Sequence, residues 1–181
     1  MKKQVLFLQG GGGKEDHAAD AKLVTSLRGA LGETYTVHYP LLLNNSTPDY
    51  GRRKQIGKEI SAFEGSIILV GHSLGASMLL KFLSENNIPQ QIDGIFLLAT
   101  PFWDGNEDWV KGFKLKTNFS DKLSKATPTF FYHCVDDEEI PFNNLITYRQ
   151  KLPWAVFREI PGGGHQFNND LTVVADDIKS L

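Results

Sequence analysis

The chain has 181 residues, 41% hydrophobic and 22% charged, with a formal net charge of −2, which fits a single globular domain over 1–181 with one substantial core. Its lysines and arginines are scattered among acids with no basic stripe, so no nucleic-acid partner is expected. The apolar run at residues 5–8 is too short for a signal-peptide core or a spanning helix, so no membrane association and a cytoplasmic location are expected. The single cysteine, Cys134, excludes an intrachain disulfide and reads as a small buried hydrophobe.

In chain order, a first strand is predicted at 4–9 (QVLFLQ), stopped by the glycines of Gln9-Gly10-Gly11-Gly12-Gly13. Leu23, Leu27, Ala30 and Leu31 then recur at helical spacing. A strand at 34–39 (TYTVHY) and a second apolar stripe of Ile56, Ile60 and Phe63 follow. The stretch SIILVGHSLGASMLLKFL, 66–83, runs from a strand at 66–71 through Gly-x-Ser-x-Gly into an apolar, helix-forming segment. Further strands are predicted at 94–100, 128–134 and 155–160, and Leu171, Val174, Ala175 and Ile178 mark a last helix. Six short apolar runs alternating with helical stripes predict an α/β fold, a three-layer αβα sandwich around a mostly parallel sheet of about six strands. The segment 101–125 is longer than an ordinary connection and mixes aromatics with glycines and charges, so it reads as a small lid or pocket excursion.

Ser73 is the candidate for the reactive group, with a plain helix N-cap as its alternative role. In Gly71-His72-Ser73-Leu74-Gly75 a strand must turn into a helix within a few residues, which strains the central residue and leaves no room for side chains two before and two after it. A serine N-cap beside two loop glycines needs no such crowding. The turn would lift the Ser73 hydroxyl above the carboxyl edge of the sheet, at the positive end of the next helix.

A serine hydroxyl is nearly inert at neutral pH and needs a histidine to take its proton and a carboxylate to hold that histidine. Two stretches beyond the serine supply both: HCVDDEEIPF at 133–142 and IPGGGHQF at 160–167, each leaving the carboxyl end of a predicted strand. The base is His165, in a glycine-rich loop, and the acid is Asp136 or Asp137. His72 reads as a packing residue beside the turn. His17, His38 and His133 have no paired ligand spacing, so no metal is expected.

The order Ser73, Asp, His165, with GHSLG, DDEEIP and GGGHQF in a chain of this length, resembles the α/β-hydrolase serine hydrolases, and more closely the small single-domain type of YdeN and retinoblastoma-binding protein nine. The resemblance spans nearly the whole chain and implies an α/β-hydrolase fold with a minimal cap or none. It implies an ester-cleaving serine hydrolase, a small-molecule acyl substrate and no cofactor. Its D-x-x-x-P pattern, carried onto Pro141, selects Asp137 over Asp136. It also implies an oxyanion hole from the amide of Leu74 and one from the glycine run, assigned to Gly11, with Gly10 and Gly12 as alternatives and as substrate-binding residues. Gln9 stands where such proteins often have histidine. A phosphate loop fails on spacing, since it would need glycine at Leu8 and Ser or Thr at Glu15.

Phe102, Trp103 and Trp109 are candidates for the substrate pocket, with closure of the core as their alternative role. A protein partner is not indicated. Two other readings stay open: a binding or scaffold protein on the same fold with little turnover, and thioesterase, amidase or acyltransferase chemistry at the same site.

Overall fold

Val5, Leu6, Phe7 and Leu8 are all fully buried, because a strand inside a parallel sheet carries helices over both faces and reads as an unbroken apolar run. They lie in β1 (Lys3–Leu8) of the computed structural model, which describes residues 2–181. The other strands are β2 (Tyr35–His38), β3 (Ser66–His72), β4 (Gln91–Leu98), β5 (Thr129–Cys134) and β6 (Val156–Ile160). All pair in parallel, in the order β2-β1-β3-β4-β5-β6.

Alternate side chains divide the core. Leu6, Leu8, Ile67, Leu69 and Phe131 face α2 (Arg52–Ser61), α3 (Ser73–Glu85) and α4 (Asn143–Lys151). Val5, Phe7, Ile68, Val70 and Tyr132 face α1 (Lys14–Leu31) and α5 (Thr172–Lys179). Each large apolar side chain fully buried in these layers contributes about 1.5–3 kcal/mol. The result is a three-layer αβα sandwich.

Three elements differ from the sequence reading. β4 begins at Gln91, because Ser66 and Ile67 pair with Gln91 and Ile92 before the register shifts and Ile68 pairs with Gly94. Polar Gln91 and Asp93 hide that start in the sequence. The sequence reading names no helix between the strands at 128–134 and 155–160, where α4 forms and Leu145, Tyr148 and Leu152 are buried at three- and four-residue spacing. Phe63 lies beyond the end of α2, packed against the same core layer.

The segment 101–125 forms two short 3-10 turns, Asp108–Gly112 and Phe119–Lys122. Val110, Phe113, Phe119 and Leu123 are buried, and all but Val110 join the core layer of α3. The segment is therefore anchored by apolar side chains along its length. Among the described residues no helix is long and apolar enough to cross a membrane. The carboxyl ends of β1, β3, β5 and β6 share one edge of the sheet, where the chain segments with the candidate residues emerge.

Candidate active site

β3 passes directly into α3. His72 is extended (φ −113°, ψ 137°) and Ser73 turns to φ +48°, a left-handed conformation that costs a side-chain-bearing residue about 1–2 kcal/mol. The flanking glycines have a steric cause. A Cβ on Gly71 would stand 2.7 Å from the Ala76 Cα, and one on Gly75 would run into the carbonyl oxygens of Leu8 and Gln9. Ser73 is half-buried, and its hydroxyl has no hydrogen-bond partner among the described residues. It opens a helix of 13 residues, whose first amides have no intrahelical acceptors and form its positive end.

His165 follows β6 on the turn of Gly162, Gly163 and Gly164. Gly163 (φ +139°) and Gly164 (φ +60°) adopt conformations that side chains resist, and so deliver the buried His165 ring toward β5. Its Nδ1–H donates to Asp137, at 3.0 Å from Oδ2 and 3.1 Å from Oδ1. Asp137 also accepts the amides of Glu139 and Ile140 at 2.9 and 2.8 Å. His133 Nε2 lies 3.3 Å from Asp137 Oδ2 and 2.9 Å from the Ile140 carbonyl oxygen.

Burial alone would raise the Asp137 carboxyl, but hydrogen bonds from His133, His165 and Ile140 hold it well below the usual carboxylate range. For His165 burial works in the opposite sense, lowering it. The hydrogen bond and charge of Asp137, then the charges of Glu139 and Asp20, outweigh that and raise it above the ordinary 6.5.

The rest of the acidic turn holds the same loop. Asp136 accepts the amides of Gly163 and Gly164 at 3.1 and 2.9 Å, and Glu138 accepts the His165 amide at 3.0 Å. Glu139 Oε2 lies 3.6 Å from His165 Nε2, the ring nitrogen turned away from Asp137. Cys134, buried beside these acids, has its thiol pushed up to about 12 by burial first and by the charges of Asp136, Asp137 and Glu138 next, so it is an inert hydrophobe.

The glycine loop is held by charge. Gly10 N–H donates to Asp20 at 2.7 Å, and the amides of Gly12 and Gly13 donate to Asp16 at 2.8 and 2.9 Å. The Arg52 guanidinium donates to the Gly11 carbonyl. The peptides on either side of the Gly10–Gly11 bond are thus pinned. The Gly11 amide is the one of these four without an acceptor among the described residues. The loop also lies against the turn at Ser73, since a Cβ on Gly10 would stand 3.3 Å from the Ser73 Cβ. Gln9, fully buried, takes the Leu42 amide at 2.9 Å and donates to the Gly13 carbonyl at 3.2 Å, closing the loop on itself.

The aromatic candidates separate. Phe102 packs edge-on to Tyr148 of α4, and its amide donates to Asn144. Trp103 donates from Nε1 to Ser77 Oγ at 3.0 Å, one helical turn along α3 from Ser73, and packs against Trp109 and Phe113. Trp109 is 58% exposed.

Sequence reasoning does not single out Asp16, Asp20 or Arg52; it gives His72 no more than packing, and of His133 it says only that metal-ligand spacing is lacking. Asp16 alone carried a local signal, as an acid three residues past the last glycine of the loop, in the first turn of α1. The contacts of Arg52 with Gly11 and of His72 with Asp20 and His165 span 41, 52 and 93 residues.

A family model described as "Serine hydrolase" matches residues 48–169, more than half of the chain. No curated protein matches it. Among solved structures, the ydeN gene product from B. subtilis is similar at 20% identity and a TM-score of 0.71, over 99% of this chain and 98% of that one. Est1E from Butyrivibrio proteoclasticus is 17% identical with a TM-score of 0.69, over 99% and 86% of the two chains. A lipase-esterase related protein from Clostridium acetobutylicum is 14% identical with a TM-score of 0.66, over 98% and 93%. These likenesses support the α/β-hydrolase fold, and the matched segment includes Ser73, Asp137 and His165. The chain belongs to the serine hydrolase family.

Proposed function

We propose that the protein hydrolyses carboxylic esters or closely related acyl compounds by a two-step covalent route, with Ser73 as nucleophile, His165 as base and Asp137 as the acid that orients it. One observation carries this reading: His165 Nδ1 is hydrogen-bonded at 3.0 Å to a buried Asp137 on the sheet edge where Ser73 sits in a strained turn. With Nδ1–H committed to a carboxylate, Nε2 is the basic nitrogen.

Ser73 Oγ bonds to the substrate carbonyl carbon as its proton passes to His165 Nε2, and the carbonyl electrons move onto oxygen. The amides of Leu74 and Gly11, with the positive end of α3, hold that oxyanion; losing one such donor costs about 10²–10³ in rate. Collapse expels the alcohol, which takes the proton from Nε2, and leaves an acyl-Ser73. Water then attacks, gives its proton to Nε2, and the acid departs as Ser73 recovers its proton. Asp137 stays ionised throughout and stabilises the imidazolium. Gly10, Gly12, Phe102, Trp103 and Trp109 remain proposed contacts for the substrate. The steps need no metal or organic cofactor.

The test is hydrolysis of p-nitrophenyl acetate and covalent labelling by a fluorophosphonate. The parent is expected to turn over and to label at Ser73, and Ser73→Ala to do neither. Equal hydrolysis by both proteins, or a parent that resists the probe, would overturn the reading. Competition between ester, thioester and amide donors then ranks the bond types.

A further inference from the structure

Behind the proposed triad lies a second buried pair that the steps above do not use. Asp20 on α1 and His72 at the end of β3 are 2% and 1% exposed. His72 Nδ1 lies 2.9 Å from Asp20 Oδ1, and His72 Nε2 lies 3.0 Å from the backbone carbonyl oxygen of His165. Asp20 accepts in addition the Gly10 amide at 2.7 Å and Gln166 Nε2 at 3.2 Å. The pair thus touches two separate stretches, the glycine loop and the residues on either side of the His165–Gln166 peptide, while His72 itself directly precedes Ser73.

The hydrogen count fixes one role. A carbonyl oxygen can only accept, so Nε2 of His72 carries a proton and donates to His165. The remaining ring nitrogen faces the Asp20 carboxylate at 2.9 Å, so both polar ends of the buried ring are occupied. Burial would raise the Asp20 carboxyl, but hydrogen bonding and charge from His72, then Gly10 and Gln166, bring it below its ordinary value.

We propose that Asp20 and His72 are positioning residues for this reaction, with His72 acting through the His165 carbonyl to set the reach of the base toward Ser73 and Asp20 fixing His72 and the glycine loop at once. This rests on the hydrolase reading above. The His165 backbone is held at its amide by Glu138 and at its carbonyl by His72, so the ring is gripped from both sides of its own Cα. Displacing a reacting group by about 1 Å costs on the order of 10²-fold.

Two substitutions separate the arms of His72. A glutamine amide nitrogen reaches near the position of Nε2 and an asparagine amide nitrogen near that of Nδ1, so His72→Gln keeps the bond to the His165 carbonyl and His72→Asn keeps the bond to Asp20. The expected ranking in kcat is parent, then His72→Gln, then His72→Asn at about 100-fold below the parent, with KM changed by less than about threefold. A merely structural site would rank the two amides by stability and spread the loss over KM. His72→Asn matching or exceeding His72→Gln overturns the proposal. Should neither variant fold, nitrogen NMR of the parent decides: a slowly exchanging proton on His72 Nε2 is expected, and an unprotonated Nε2 overturns it. Fluorophosphonate labelling of the parent keeps the two readings apart. A parent that labels while the ranking is reversed removes only the positioning role; one that neither labels nor turns over removes the hydrolase reading and this role with it.

Discussion

Asp136 and Asp137, adjacent in the chain, grip one loop at different points: Asp137 receives His165 Nδ1 at 3.0 Å, whereas Asp136 receives the amides of Gly163 and Gly164 at 3.1 and 2.9 Å. The division follows from the turn after β5, which sends one carboxylate under the histidine ring and the other outward to the backbone. Asp137 is buried among donors, and Asp136 stands in solvent.

The two acids should therefore separate in kinetics. Asp137→Asn is expected to lower kcat by about 10³–10⁴-fold, since an amide no longer holds the histidine tautomer or stabilises its charge. Asp136→Asn keeps an acceptor oxygen for one of the two loop amides and leaves the His165–Asp137 bond in place, so a loss of about tenfold or less is expected. Steady-state kinetics of both variants checks this, and equal losses would contradict the assignment.

The pH dependence of kcat/KM has a defined sign. The base must be neutral, and Asp137, Glu139 and Asp20 favour the protonated ring against its burial. Activity should then fall on acidification with a midpoint above 6.5. Glu139→Gln removes one of the charges that raise it, so the midpoint should move down. Because Glu139 is exposed, that shift should shrink as salt is added. A midpoint that stays put or rises in Glu139→Gln at low salt would contradict the geometry.

Strain at Ser73 predicts a stability effect opposed to the functional one. Ser73→Gly should abolish turnover yet leave the fold as stable or about 1 kcal/mol more so, because relief of a left-handed side-chain residue exceeds the entropy that glycine adds to the unfolded chain. Gly75→Ala should lose at least about 1–3 kcal/mol, since the methyl meets backbone oxygens that cannot step aside. Urea unfolding of the three proteins tests both directions.

Arg52 provides a third separation. Its side chain is fully buried, with Nε and Nη1 unpartnered among the described residues and its pKa lowered to about 10, chiefly by burial. Arg52→Met should leave stability unchanged or raised, as replacement of a buried charge often does. It should also lower kcat by about tenfold by freeing the Gly11 carbonyl. A variant that loses stability while keeping its kcat would reverse both expectations.

Much of this molecule can be read locally. The four inner strands show in the sequence because each carries an apolar run dense enough to be buried on both faces, the edge strands β2 and β6 keep shorter and more exposed runs, and the Ser73 turn shows because its steric demand for Gly71 and Gly75 lies within five residues. The candidate histidine is legible for a similar reason, since glycines at 162–164 announce a turn that side chains resist. Elsewhere local rules end. Polar Gln91 and Asp93 concealed the start of β4, whose pairing depends on Ser66 and Ile67. In an unbroken glycine run no residue differs from its neighbour, and it is Asp16, Asp20 and Arg52 that take the amides of Gly10, Gly12 and Gly13 and the carbonyl of Gly11, leaving the Gly11 amide without an acceptor among the described residues. Which of two adjacent aspartates meets a histidine 28 residues away is set by the path of one turn between β5 and α4. Sequence alone determined the layered sheet, the strained serine and the order of the reactive groups, because short-range sterics and burial suffice for those. Tertiary structure alone decided which carboxylates and amides face one another, because a hydrogen bond depends on ångström-scale direction between segments that meet only when the sheet assembles.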